Sequence, residues 1–171
     1  PKAECSRCEH CRGRGSIGGR INQTGGVITA LNLTAVALEE INLAQNNVIT
    51  GDVNLGSNLG AGTGGFINFK NIAASFNLGG AAAKGNVTIT TGGLMSSDGA
   101  IQSTTGNVSI TTAGDMSFGD DVSAAGSMSL ISGGGLTGQS GGSVTAGGIA
   151  AINAGTNDIS LFSATNDFSS V

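Results

Sequence analysis

Residues 85–93 read GNVTITTGG and residues 106–114 read GNVSITTAG. Working outward from these two stretches, with the leading glycine as anchor, the same pattern returns as GGFINFKN from Gly64, GSMSLISGG from Gly126 and GIAAINAG from Gly148. The anchors Gly65, Gly85, Gly106, Gly126 and Gly148 are 20, 21, 20 and 22 residues apart. Each unit places an apolar pair at the same two alternating positions: Ile67/Phe69, Val87/Ile89, Val108/Ile110, Met128/Leu130 and Ala150/Ile152. Alternation of period two, carried largely by β-branched residues, predicts a short strand with one face buried. Recurrence at a fixed longer period predicts a repeat architecture, in which a unit buries its apolar positions only by stacking on its neighbours.

A second series runs through Ile101, Val122 and Val144, and a third through Leu94, Met116 and Leu136. Each unit therefore offers three short strands, separated by Gly, Ser, Asn or Asp, the residues that turn a chain tightly. A unit of 20–22 residues with three strands is one coil of a β-solenoid, with Val87 over Ile67 and under Val108. A hairpin or sandwich reading needs two-residue turns and no fixed longer period, and the regularity excludes it. The predicted fold is all-β, with regular solenoid repeats over residues 65–171. Upstream, Leu31/Leu33, Ile41/Leu43 and Val53/Leu55 keep the alternation without one register, so residues 21–64 read as irregular coils. Within them Glu39-Glu40 suggests the start of a short helical turn, and Gly56 to Gly65, with five glycines, a loop.

The composition supports a narrow core. Glycine supplies 31 of 171 residues, Trp and Tyr are absent, and the single proline is Pro1, which with no Gly-X-Y period excludes collagen. Hydrophobic residues at 39% against 11% charged argue against disorder. Charge is uneven along the chain. Residues 1–20 carry Lys2, Arg7, Arg12, Arg14 and Arg20 against Glu4 and Glu9, whereas residues 85–171 hold no Lys, Arg or His and six aspartates. The body thus lacks the basic stripe that phosphate binding needs, and nucleic acid is not an expected partner. The uncharged stretch Ile21 to Leu38 is broken by Asn22, Gln23, Thr24, Gly25, Gly26 and Asn32, so no membrane span is expected. No apolar leader follows the N-terminal charges, which places any export signal outside this sequence.

Three features invite a chemical reading. Cys8-Glu-His-Cys11-Arg-Gly13-Arg-Gly15, preceded by Cys5, is similar to the zinc knuckle of DnaJ-type chaperones and makes Cys5, Cys8 and Cys11 the candidate metal ligands. Tetrahedral zinc needs a fourth ligand, and His10 is adjacent to Cys11; an iron–sulfur cluster lacks the same fourth group. The preferred reading of residues 1–20 is a basic tail without zinc, disordered or unrelated to the repeats, and no cofactor is expected. Asp120-Asp121 resembles the paired carboxylates of β-helical glycoside hydrolases, but no basic residue follows Lys84. A corner whose aspartates accept backbone N–H groups is the better account. Calcium-binding nonapeptides are absent. Asn32-Leu-Thr34, Asn86-Val-Thr88 and Asn107-Val-Ser109 are glycosylation sequons in a chain rich enough in Asn, Ser and Thr to produce them by chance. Thr88, Thr90, Ser109 and Thr111 predict a hydroxyl ladder on one outer face, too short for an ice-binding array.

The two GNV units, the following Asp115-Met116-Ser117 and the stretch SATNDFSSV from Ser163 resemble the passengers of filamentous haemagglutinin-type exoproteins, the bacterial adhesins of two-partner secretion systems and related autotransporters. The resemblance covers residues 25–171 and is one of repeat style. It implies a right-handed parallel β-helix, export through an outer-membrane β-barrel transporter, and adhesion or display on the bacterial surface toward an unidentified receptor. The family's secretion-signal domain is not recognisable, and residues 1–20 do not resemble it. The expected function is a non-catalytic stalk or display segment, the alternative a β-helical polysaccharide hydrolase or lyase. The edge of the last coil, near Asp158 and Asp167, is expected to support end-to-end self-association.

Overall fold

The computed structural model describes residues 19–57 and 64–171. The stretches of alternating apolar residues form 17 strands among them, with no helix, and the strand pairings are parallel throughout. The chain winds as a β-solenoid of about seven turns. Each coil crosses a first face, then a second, then a third.

The first face is the one read from the glycine-anchored units. Its rungs begin at Ile21, Ile41, Ile67, Val87, Val108, Met128 and Ala150, each in register with the next. The second position of each pair stacks likewise, from Leu43 through Phe69, Ile89, Ile110 and Leu130 to Ile152. Ile41, Ile67, Val87, Ile89, Val108 and Ile110 are wholly buried, because parallel in-register stacking puts an apolar side chain above and below each of them. Thr88, Thr90, Ser109 and Thr111 point to the outer surface and are half-buried. The columns thus reach upstream of residue 65: Ile41 and Leu43 lie directly on Ile67 and Phe69. The coil between them is 26 residues long and contains residues 58–63, outside the described residues.

The second face carries the start of Ser75–Ala83, then Leu94–Ser97, Met116–Phe118 and Leu136–Gln139. Here one expectation is corrected: Met95, not Leu94, aligns with Met116. Met95 is fully buried, while Leu94 is 40% exposed. Met95 and Met116 each lie ten residues past their anchors, Gly85 and Gly106. Leu94 lies nine past its own, and in a strand one residue is the difference between inside and outside.

The third face stacks Leu55, Ala81, Ile101, Val122 and Val144. Beside them runs a column of small residues, Ala37, Ser57, Ala83, Ser103, Ala124 and Ala146. Gly56 lies inside the strand Asp52–Ser57 rather than in a loop. Nor does Glu39-Glu40 begin a helix: the Glu40 carbonyl accepts Ile21 N–H at 2.9 Å, so this backbone is already committed to the neighbouring coil. The faces enclose one continuous hydrophobic cluster, with Phe69 and Phe76 packed edge to face at 6.0 Å between first and second faces.

The anchor glycines owe their place to close approach. Gly85 N–H donates to Gly65 O at 2.6 Å, and Gly126 N–H to Gly106 O at 2.8 Å. A Cβ on Gly106 would lie 2.6 Å from Asn86 Oδ1 and 2.7 Å from the Gly85 carbonyl carbon. Backbone rests on backbone at this corner, and only glycine leaves the room.

Candidate functional site

The corners hold most of the groups that chemistry would need. Asp121 Oδ1 accepts Ser143 N–H at 2.7 Å and the Ser143 hydroxyl at 2.9 Å, and Asp120 Oδ1 accepts Asp121 N–H at 2.7 Å. Asp115 Oδ1 likewise accepts Gly135 N–H of the next coil at 2.8 Å. Asp115 and Asp121 tie one coil to the next and Asp120 closes its own corner, each by accepting a backbone N–H as the corner reading expects. The sequon asparagines do the same: Asn32 Oδ1 accepts Asp52 N–H, Asn86 Oδ1 accepts Asn107 N–H and Asn107 Oδ1 accepts Ser127 N–H, at 2.8–2.9 Å. Among the described residues no three His, Cys, Asp or Glu side chains converge as a cation site would require. Cys5, Cys8, His10 and Cys11 lie outside the described residues.

The outer surface of the first face is nearly uncharged, Lys70 being the charge within its strands. Asn42 Nδ2 donates to Asn22 Oδ1 and Asn68 Nδ2 to Asn42 Oδ1, each at 3.1 Å, making an amide ladder across three coils. The ladder continues in register as Thr88, Ser109 and Ser129. On the third face an apolar groove of about 310 Å³ lies between Val36, Asn54 and Ala82, left open because Gly56, Gly79 and Gly80 project no side chain. At the first coil, Arg20 reaches the carboxylates of Glu39, at 2.5 Å, and Glu40, at 3.7 Å. The hydrogen bond to Glu39 and the charge of Glu40 raise the Arg20 pKa, and the exposure of the Arg20 side chain leaves the interaction open to screening by salt.

Sequence reasoning passed over the inward-facing amides Gln23, Asn47 and Gln139, all buried, and the half-buried Asn166 paired with Gln139. A signal was present: Gln-Thr-Gly-Gly-Val-Ile over 23–28 and Gln-Ser-Gly-Gly-Ser-Val over 139–144 share one pattern. The two copies fall outside the 20–22-residue register of the other units, which hides them from a search for that period.

Residues 105–171 are similar to a family described as repeats of unknown function, DUF5649. No curated protein and no solved structure matches the chain. The match and the coiled geometry agree on a repeat β-helix protein.

Proposed function

We propose that this chain is a non-catalytic stalk or display segment of a secreted bacterial surface adhesin, exported through an outer-membrane β-barrel transporter. The observation that carries the reading is the parallel stack of the first face over seven rungs, whose leading positions stay in register through the irregularity between Leu43 and Asn47. Parallel strands about 4.8 Å apart make such a stack a stiff rod roughly 30 Å long, whose length is set by the number of coils. The repeat-style resemblance to filamentous haemagglutinin-type passengers supports the adhesin setting. The corner roles of Asp115, Asp120 and Asp121 weigh against the polysaccharide hydrolase or lyase, since one oxygen of each holds neighbouring backbone.

Two measurements test it. Deleting residues 106–125, one coil from anchor to anchor, is expected to leave a folded β-solenoid whose long dimension in solution scattering falls by about 5 Å. Incubation with a panel of polysaccharides is expected to release no reducing ends and no unsaturated uronates. Release that disappears on Asp120→Asn or Asp121→Asn would replace the stalk by the enzyme.

A further inference from the structure

Two corners of the solenoid, at different places in the coil, are closed by the same five hydrogen bonds. At the first, Gln23 Nε2 donates to Gly26 O at 3.1 Å and to Asn47 Oδ1 at 2.7 Å, and Asn47 Nδ2 donates back to Gln23 Oε1 at 3.1 Å. Ile28 N–H adds a bond to Asn47 Oδ1 at 3.0 Å, and Gln45 N–H one to Gln23 Oε1 at 3.4 Å. At the second, Gln139 Nε2 donates to Gly142 O at 3.1 Å and to Asn166 Oδ1 at 2.8 Å, and Asn166 Nδ2 to Gln139 Oε1 at 2.9 Å. Val144 N–H reaches Asn166 Oδ1 at 2.8 Å and Ser163 N–H reaches Gln139 Oε1 at 3.3 Å. Gly26 and Gly142 turn the backbone through positive φ, 75° and 63°. Each device joins a coil to the next through a reciprocal amide pair.

What backs the two clasps differs. Asn47 sits inside the nine-residue strand Ile41–Ile49 and also donates to Leu43 O and Lys70 O. Asn166 ends a stretch, residues 154–166, with one isolated bridge at Ile159 and no regular strand. Beyond it Asp167–Ser170 pairs with Thr145, Ala146 and Ile149 across a register shift. The other side-chain hydrogen bond from this stretch to an earlier coil, Asn157 Nδ2 to Gly133 O, is 3.4 Å long, and the larger apolar side chains that pack against the core, Leu161 and beyond it Phe168, are only partly buried.

We propose that the Gln139–Asn166 clasp is a latch: it holds residues 154–170 on the coil beneath, and when it is broken this segment lifts as a unit while the central coils stay closed. Lifting would bare the third-face edge at Thr145–Ile149, a row of backbone groups able to pair with another strand. The Gln23–Asn47 clasp, embedded in a long strand, is a fixed part of the wall.

Hydrogen exchange read by mass spectrometry on the whole chain tests this with Gln139→Leu, Asn166→Leu and the double variant. Each single change leaves a partner amide orphaned, so amides of 154–170 are expected to exchange about tenfold to a hundredfold faster. Val87–Thr91 and Val108–Thr112 should change by less than about twofold, because coil stability is set by near neighbours. Gln23→Leu should speed exchange around Asn47 without lifting a segment. The double variant, which leaves no orphan side-chain amide, guards against a single variant that fails to fold; it should still expose 154–170. Wild-type protection of 154–170 in the double variant, or an equal loss across all coils in any variant, would overturn the latch.

Discussion

Ile110→Ala probes the interior column at a fully enclosed position. Ile110 is fully buried, in register between Ile89 and Leu130. Removing three carbons forfeits about 2.4 kcal/mol of transfer free energy, at about 0.8 kcal/mol per buried methylene. The rungs above and below are held by continuous parallel ladders and cannot settle into the gap. If roughly 50 Å³ stays empty, the cavity adds about 1 kcal/mol at ~24 cal/mol per Å³. The expected loss is therefore about 3.5 kcal/mol, within the range of roughly 2–5 kcal/mol seen for such truncations. For a chain of this size that corresponds to a fall in Tm of about 7–14 °C. Thr111→Ala, one residue on and facing outward, should stay within about 0.5 kcal/mol of the parent. Urea and thermal unfolding followed by circular dichroism would measure both. Equal effects of the two changes, or a loss below about 1 kcal/mol for Ile110→Ala, would refute the stacked-column account of stability.

Three further outcomes are expected. Gly106→Ala drives a Cβ against Asn86 and the Gly85 backbone and should cost about 1–3 kcal/mol in the same unfolding assay, whereas Gly25→Ala, with nothing within 4 Å of the added carbon, should be close to neutral. Asp121→Ala removes the acceptor for Ser143 N–H and should cost about 1 kcal/mol; Asp121→Asn keeps that oxygen and should melt with the parent, an ordering that a catalytic carboxylate would not produce in activity. Replacing Cys5, Cys8 and Cys11 together by Ser should leave the melting temperature unchanged, and stoichiometric zinc in the parent coupled to a large drop in the variant would show instead that the segment is a structural metal site.

The repeat period of 20–22 residues and the inward pairs of the first face were legible in the sequence, since a column inside a stacked coil accepts an apolar side chain at the same place in every turn. Val87/Ile89 and Val108/Ile110 therefore declare both fold and register. The Asp121 corner was legible too, because Gly-Asp-Asp between two strands has few other uses. Other features depended on the neighbouring coil. Which of Leu94 and Met95 faces inward follows from how many residues the preceding corner consumes, and that corner is shaped by a local bond, Gly93 N–H to Thr91 Oγ1, and by the coil it rests on, Leu94 N–H to Ala74 O. Gln23 and Gln139 read as surface residues until Asn47 and Asn166, 24 and 27 positions away, close the amide pairs that let them turn inward. A buried amide is tolerable only with its partner in place. Local pattern therefore determined the coil, and the packing of one coil on another decided the corners and the polar interior.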